Sequence, residues 1–336
     1  MRRSIFSCCV LGMLAVPVTA AGAGAVWYVD VDNTSGVEDG LSWATAHTSI
    51  QAAVDAAADA LADPGAEIPA EIWVAEGVYT NISGTVVNMR EHVRLYGGFA
   101  GTETTRAQRN WETRPTVIEG GMGYHAGVCG ADYALMDGFV VEKCYSHGGG
   151  GMLNWSVSPI VRNTTFRQNW AHSVGGAVKN ASGAAPRFEH CRFERNKANG
   201  AGAGGGMYND GASPVLISCT FVGNHSYDNS EWMPNAGGYA GGLYDDKDSA
   251  STLINCLFVD NRADYAGGAL LTTGATTLIN CTLAHNTAPL GGAIESWPDT
   301  ASMTNCILWE NGSEIHIPQW HEGDAGVVRY SCIAGG

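Results

Sequence analysis

Lys179, Asp210, Asp245, Asp246 and Asp248 each follow a glycine pair by three to six residues, so a repeating fold would gather them on neighbouring rungs. Carboxylates stacked in this way repel one another, which raises their proton affinity or recruits a cation. Asp210, Asp245, Asp246 and Asp248 are therefore candidate metal ligands, and calcium is the hard cation that suits oxygen donors outside the cell. The same residues have a structural use, because aspartate and asparagine side chains cap the backbone of tight turns. A second group is aromatic. Trp155 lies four residues beyond its glycine pair, and the long loop over 225–239 carries Tyr227, Trp232 and Tyr239. Their flat faces suit the binding of sugar rings, and they could equally fold back over the body as a small apolar cluster. His147, His172, His225, His285, His316 and His321 are scattered over different positions of the repeat, and nothing pairs them with a serine or cysteine nucleophile, so turn or surface positions are expected.

What positions these residues is one pattern that returns six times between Gly150 and Asn311. Each copy has two glycines (Gly150-Gly151, Gly175-Gly176, Gly205-Gly206, Gly241-Gly242, Gly267-Gly268, Gly291-Gly292), a polar loop, a small strand and an asparagine. The asparagines are Asn169, Asn196, Asn224, Asn261, Asn286 and Asn311, separated by 27, 28, 37, 25 and 25 residues. That spacing is too short for a βαβ crossover with its helix and suits three short strands with three turns. It predicts an all-β solenoid, a three-sided parallel β-helix. Three residues before each asparagine stands Phe166, Phe193, Phe221, Phe258, Leu283 or Leu308, which makes one interior stack. Two residues earlier stands Thr164, Cys191, Cys219, Cys256, Cys281 or Cys306, small side chains for a crowded interior. An asparagine amide both donates and accepts, so the column can bond to itself from rung to rung, about 4.8 Å apart, as a structural ladder.

The flanks extend this solenoid. Residues 1–25 combine Arg2 and Arg3, an apolar run over 5–18 and small residues at 21–23, the pattern of a secretory signal peptide that sends a protein out to the cell surface or beyond. Residues 26–70 are expected to form an N-terminal strand and a capping helix over 49–61. Ile50, Ala53, Val54 and Ala57 would share the face that covers the first rung. Residues 71–336 then form the β-helix. Apolar strands at 72–74, 93–96, 116–118 and 135–141 read as early rungs, for about eleven in all and a rod of about 50 Å. The sequence stops at Cys332-Ile333-Ala334-Gly335-Gly336, directly after a strand and without a capping element, so further rungs are expected beyond it.

Composition agrees, since 45 glycines in 336 residues is about twice the usual share of roughly 7% and points to many turns. The formal net charge of −15 becomes −17 if Arg2 and Arg3 leave with the signal, which disfavours nucleic acid and anionic membranes as partners. No other stretch is long and apolar enough for membrane insertion. Eight of the ten cysteines lie beyond the signal. Those sharing a column have parallel Cα–Cβ bonds, a poor geometry for disulfides, and are expected as buried free thiols. No close Cys or His pair suggests zinc.

Two sets of residues carry a family resemblance. Trp27-Tyr28-Val29-Asp30, Asp39-Gly40-Leu41-Ser42-Trp43-Ala44, Ser49-Ile50-Gln51-Ala52-Ala53 and Ile72-Trp73-Val74-Ala75-Glu76-Gly77-Val78-Tyr79 resemble the opening of bacterial right-handed parallel β-helix proteins of the pectate-lyase-like superfamily. The Gly-Gly-Ala-Val, Gly-Gly-Ala-Leu and Gly-Gly-Ala-Ile segments with Phe-x-x-Asn resemble the repeats of chlamydial polymorphic outer membrane proteins, which are adhesins. The resemblance spans nearly all of the chain after residue 25 and implies a right-handed parallel β-helix. Polysaccharide lyases on this fold work in a shallow groove along one sheet. There a lysine or arginine removes the α-proton of a uronate while calcium or a basic residue neutralises its carboxylate. If this chain is such a lyase, the resemblance puts Lys179, Asp210 and Asp245 in catalytic roles. A groove for polyanionic uronates should be basic, yet Lys179 is the only basic residue at the positions three and four residues beyond the six glycine pairs. The sequence therefore favours an exported protein that binds cell-surface or matrix glycans or acts in adhesion. Its expected partner is a neutral glycan or another protein, with polysaccharide lyase as the alternative activity and calcium as the one candidate cofactor.

Overall fold

The computed structural model describes residues 26–62, 69–121, 123–199, 202–228, 237–297, 301–316, 328–329 and 331–333. The signal peptide expected over 1–25, Trp232 and His321 lie outside the described residues. The chain winds into a parallel β-solenoid. In one turn Ile160–Arg162 lies in a first sheet (I), Thr165–Arg167 in a second (II), Trp170–Val174 in a third (III) and Val178–Ala181 in a fourth (IV). Arg187–Glu189 then opens the next turn on sheet I, paired in parallel with Ile160–Arg162.

Over five rungs, from Tyr145–Gly148 to Arg262–Ala263, a fourth sheet is thus added to the three sides the spacing had suggested. Sheet III, five strands long, is inserted between the ladder asparagine and the glycine turn, because the backbone stays extended there before it bends. Sheets I, II and IV hold eleven, ten and nine strands among the described residues, so about nine turns are complete where eleven were expected. Part of the difference is Thr116–Gly120. It is not a rung of its own; it stacks on Gly77–Asn81 in sheet II, in the same turn as Val93–Phe99 of sheet I.

Two of the corners are built alike. One residue takes the left-handed conformation, which a side chain tolerates only at a cost, and the next side chain then points inward. At the I–II corner Asn163, His190, Ser218, Asn255, Asn280 and Asn305 turn the chain with φ of 46° to 56°. Thr164 and the five cysteines follow them, all buried, and the cysteines are free. Hydrogen bonding between neighbouring thiols, together with burial, pushes Cys256 and Cys281 up to about 12, so they stay protonated and unreactive while the column is closed.

At the II–III corner Gln168, Arg195, Gly223, Asp260, His285 and Glu310 turn the chain, and the ladder asparagines follow. Asn196 Nδ2 donates to Asn224 Oδ1 at 2.9 Å, Asn224 to Asn261 at 2.9 Å, Asn261 to Asn286 at 2.9 Å and Asn286 to Asn311 at 2.9 Å. Asn169 opens this series by donating to Asn196 at 3.1 Å, and Glu314 ends it by accepting from Asn311 at 2.6 Å. Inside, Phe166, Phe193, Phe221 and Phe258 stack almost in parallel, with centroids 5.4, 4.4 and 4.5 Å apart.

At the N-terminal end the helix Ile50–Leu61 buries Ile50, Ala53, Val54 and Ala57 in the same core as Ile72, Val74 and Val87, the face the sequence had marked. Ser49 caps it, its Oγ accepting from Ala52 N at 3.3 Å. No helix among the described residues is long and apolar enough to cross a membrane.

Candidate functional site

The turn between sheets III and IV decides which side chains face water. Its first residue is left-handed in every repeat: Gly149, Gly175, Gly204, Ala240, Gly267 and Gly291, with φ of 52° to 72°. Aligned on that residue, Leu153, Lys179, Tyr208, Tyr244, Leu271 and Glu295 share one column of sheet IV. The next column holds Asn154, Asn180, Asn209, Asp245, Thr272 and Ser296. The glycine pairs aligned in the sequence mix two frames: Gly150-Gly151, Gly205-Gly206 and Gly241-Gly242 are the second and third residues of the turn, the other pairs the first and second. A one-residue slip in a strand moves each side chain to the opposite face. Lys179 therefore faces outward and Asp245 inward, and the two do not share a groove.

Asp245 ends a second amide ladder that the sequence reading missed. Asn154 Nδ2 donates to Asn180 Oδ1 at 2.8 Å, Asn180 to Asn209 at 2.7 Å, and Asn209 to Asp245 Oδ1 at 2.7 Å. Ser251 Oγ donates to the same oxygen at 2.6 Å and Thr276 Oγ1 to the other at 2.5 Å. Complete burial pushes the Asp245 carboxyl above the usual carboxylate range, against these donors. Because its folded value is raised, the protonated form is favoured by folding. The associated stability is present at low pH and is lost as pH rises from the ordinary aspartate range through the raised value. Asp245→Asn keeps an acceptor for Asn209 and Ser251 and carries no charge. The variant is expected to gain in melting temperature over wild type as pH rises from 3 to 7, and a constant difference across that range would show that Asp245 does not titrate in the fold.

The remaining acidic candidates are spoken for locally. Asp246 accepts from the Tyr208 hydroxyl at 2.7 Å and from Lys247 N at 2.7 Å, the turn-capping role. Asp210 Oδ2 lies 3.7 Å from Lys179 Nζ, and Asp248 is exposed at a left-handed position. Among the described residues no three His, Cys, Asp or Glu side chains converge as metal ligands would.

The outer faces of sheets III and IV form two walls of a cleft along the rod. Over the later rungs it is filled: Tyr239, Tyr265 and Leu290 pack with Ala266 against Tyr244 and Leu271, and Tyr239 meets Tyr265 edge-on at 5.2 Å. Tyr227 sits beside His225 at 5.3 Å, half-buried. Over the earlier rungs the cleft is open, about 400 Å³ lined by Tyr124, His125, His147, Leu153, Trp155 and Lys179. Trp155 is 59% exposed there. Lys179 Nζ lies 5.7 Å from its ring centroid and 5.6 Å from that of Tyr208, a cation held between two ring faces. Of the residues singled out in sequence, Trp155, Lys179 and Asp210 thus come together. Tyr124 and His125 were missed, since they lie in irregular early rungs; His147, expected only at a turn or surface position, lies on a sheet III strand and lines the same cleft.

This architecture matches a known family. Residues 116–319 match the family model described as right handed beta helix region, and the chain belongs to that family. Among solved structures it is similar to the crystal structure of pectate lyase Pel9A, with 13% identity over 89% of this chain and 80% of that one and a TM-score of 0.48. It is also similar to the catalytic unit of the thermostable GH87 alpha-1,3-glucanase from Streptomyces thermodiastaticus strain HF3-3, with 12% identity over 84% and 66% and a TM-score of 0.29. No curated protein matches the chain.

Proposed function

We propose that the protein is an exported glycan-binding solenoid that attaches to cell-surface or matrix polysaccharide, with the open cleft between sheets III and IV as its ligand site. The observation that carries this reading is Trp155. A large ring 59% exposed in a formed cleft, beside an ordered cation and two histidines, offers a stacking face and polar groups around its edge. That is the combination a pyranose ring with its hydroxyls requires. Export is supported by the signal pattern over 1–25. Neutral glycans suit the cleft, because its single lysine already faces Asp210.

Trp155→Ala is expected to weaken binding of neutral oligosaccharides at least tenfold, about 1.4 kcal/mol, without lowering the melting temperature. Titration calorimetry over a panel of neutral oligosaccharides measures it, and equal affinity in the variant would remove the cleft from the account. The lyase reading keeps one observation in its favour, Lys179 in the lining of the cleft with Asp210 3.7 Å from its ammonium. It requires unsaturated sugar ends to accumulate from a uronate polymer with wild type and not with Lys179→Ala; their absence with wild type leaves binding as the activity.

A further inference from the structure

We propose a second ligand site, at the corner between sheets II and III, that takes a carboxylate-bearing sugar. The residue after each ladder asparagine opens a strand of sheet III with its side chain outward. With Tyr145 from the preceding turn the column reads Tyr145, Trp170, Lys197, His225, Arg262. Tyr124 extends it, its ring 4.6 Å from Tyr145, which in turn lies 4.9 Å from Trp170. The row is aromatic at one end and basic at the other.

Where the two halves meet, Gln168, Trp170, Arg195, Lys197, Gly223 and His225 line a hollow of about 520 Å³, within the size range of small-ligand sites. In a chain of formal charge −15 this hollow has two permanent cations and no carboxylate in its lining. The charge balance along the row locates the site. Arg262 pairs at 3.2 Å with Asp264, which also lies 3.0 Å from His225, so the permanent charge at that end of the row is balanced. Lys197 has no carboxylate partner among the described residues, and Arg195, with 70% of its side chain exposed, comes no nearer than 3.9 Å to Glu194, a carboxylate that Arg192 already holds at 3.0 Å. The uncompensated positive charge therefore sits at Arg195 and Lys197, directly beside Trp170, which is 40% exposed.

Each group has a use for an acidic sugar. Trp170 offers a face to the pyranose ring, the Gln168 amide can bond to hydroxyls, and the Arg195 fork with the Lys197 ammonium takes one carboxylate. Gly223 leaves the floor open; a Cβ there would meet only Arg195 Cγ, at 3.6 Å. One fork and one ammonium match a single planar carboxylate per ring, which is why the carboxylated sugar is favoured over a multiply sulfated one. The site stands on its own lining residues and not on the Trp155 cleft. Tyr124 lines that cleft, so one glycan chain lying along the aromatic row would reach both places.

The test uses the full chain with an oligomer of glucuronic acid, its methyl ester and a sulfated dextran oligomer. The variant is Arg195→Asn with Lys197→Ala, asparagine being chosen because position 195 has a φ of 52°. Affinity for the acid should fall at least tenfold in the variant and fall with added salt in wild type, while Trp155→Ala retains the basic corner and its salt dependence. Equal affinity of wild type for acid and ester, an unchanged affinity of the variant for the acid, or binding of the sulfated oligomer alone would each overturn the proposal. A loss of acid binding in Trp155→Ala as large as in the corner variant would overturn the independence of the two sites.

Discussion

Phe221→Ala is expected to destabilise the protein by about 3 to 5 kcal/mol, the largest single effect in the chain. The Phe221 side chain is fully buried, and its ring lies 4.4 Å from Phe193 and 4.5 Å from Phe258, so its removal leaves a void that ring neighbours on both sides cannot close without breaking their own stacking. In a solenoid each rung contacts only its neighbours, and a void in a central rung weakens two interfaces together. Phe221→Leu should cost about 1.5 kcal/mol or less, because Leu283 and Leu308 fill the same column in later rungs. Urea denaturation of both variants checks this. A loss in Phe221→Ala no greater than in Phe221→Leu would mean that the interior is loosely packed.

Asn224→Ala should follow closely in size. The Asn224 amide donates to Phe193 O and to Asn261 Oδ1, each at 2.9 Å, and its oxygen accepts from Asn196 N at 3.0 Å and Asn196 Nδ2 at 2.9 Å. Alanine strands buried groups on the rungs on either side, at about 1 to 3 kcal/mol for each group left without a partner. A loss of at least about 3 kcal/mol is therefore expected. Asn311→Ala, at the half-buried end of the ladder beside Glu314, should lose less. Thermal melts of the pair decide it, and equal losses at the two positions would show that the ladder does not act through burial.

The parts of this fold that were legible in the sequence are those where one side chain repeats in one place for one reason. Phe-x-x-Asn marked the interior stack and the ladder because only an apolar residue and a self-pairing amide serve there. Ile50, Ala53, Val54 and Ala57 marked the helix face because they recur at i, i+3, i+4 and i+7 and include the two large β-branched apolar residues of the segment. The site was less legible because glycine is a poor ruler. The III–IV turn needs a left-handed first residue, and that residue is Ala240 in one repeat, while Gly149-Gly150-Gly151 and Gly204-Gly205-Gly206 offer two ways to choose a pair. The slip put Asp245 beside Lys179 when it belongs with Asn154, Asn180 and Asn209. The ladder asparagines could not correct it, because Lys179, Tyr208 and Tyr244 follow Asn169, Asn196 and Asn224 by 10, 12 and 20 residues; they do align the residue that comes directly after them, Trp170, Lys197, His225 and Arg262, as one column. Sheet III itself left no mark, since a two- to five-residue strand with alanine or serine inside reads as loop.

The central claim is that the outward surface of sheets III and IV binds carbohydrate. Retention of the wild-type protein on an array of neutral and acidic glycans, beside Trp155→Ala and the Arg195→Asn, Lys197→Ala variant, tests it most directly. Wild type should be held by both classes, with neutral glycans lost in the first variant and acidic ones in the second. A wild-type protein held by no glycan, or variants that keep its full pattern, would contradict the claim.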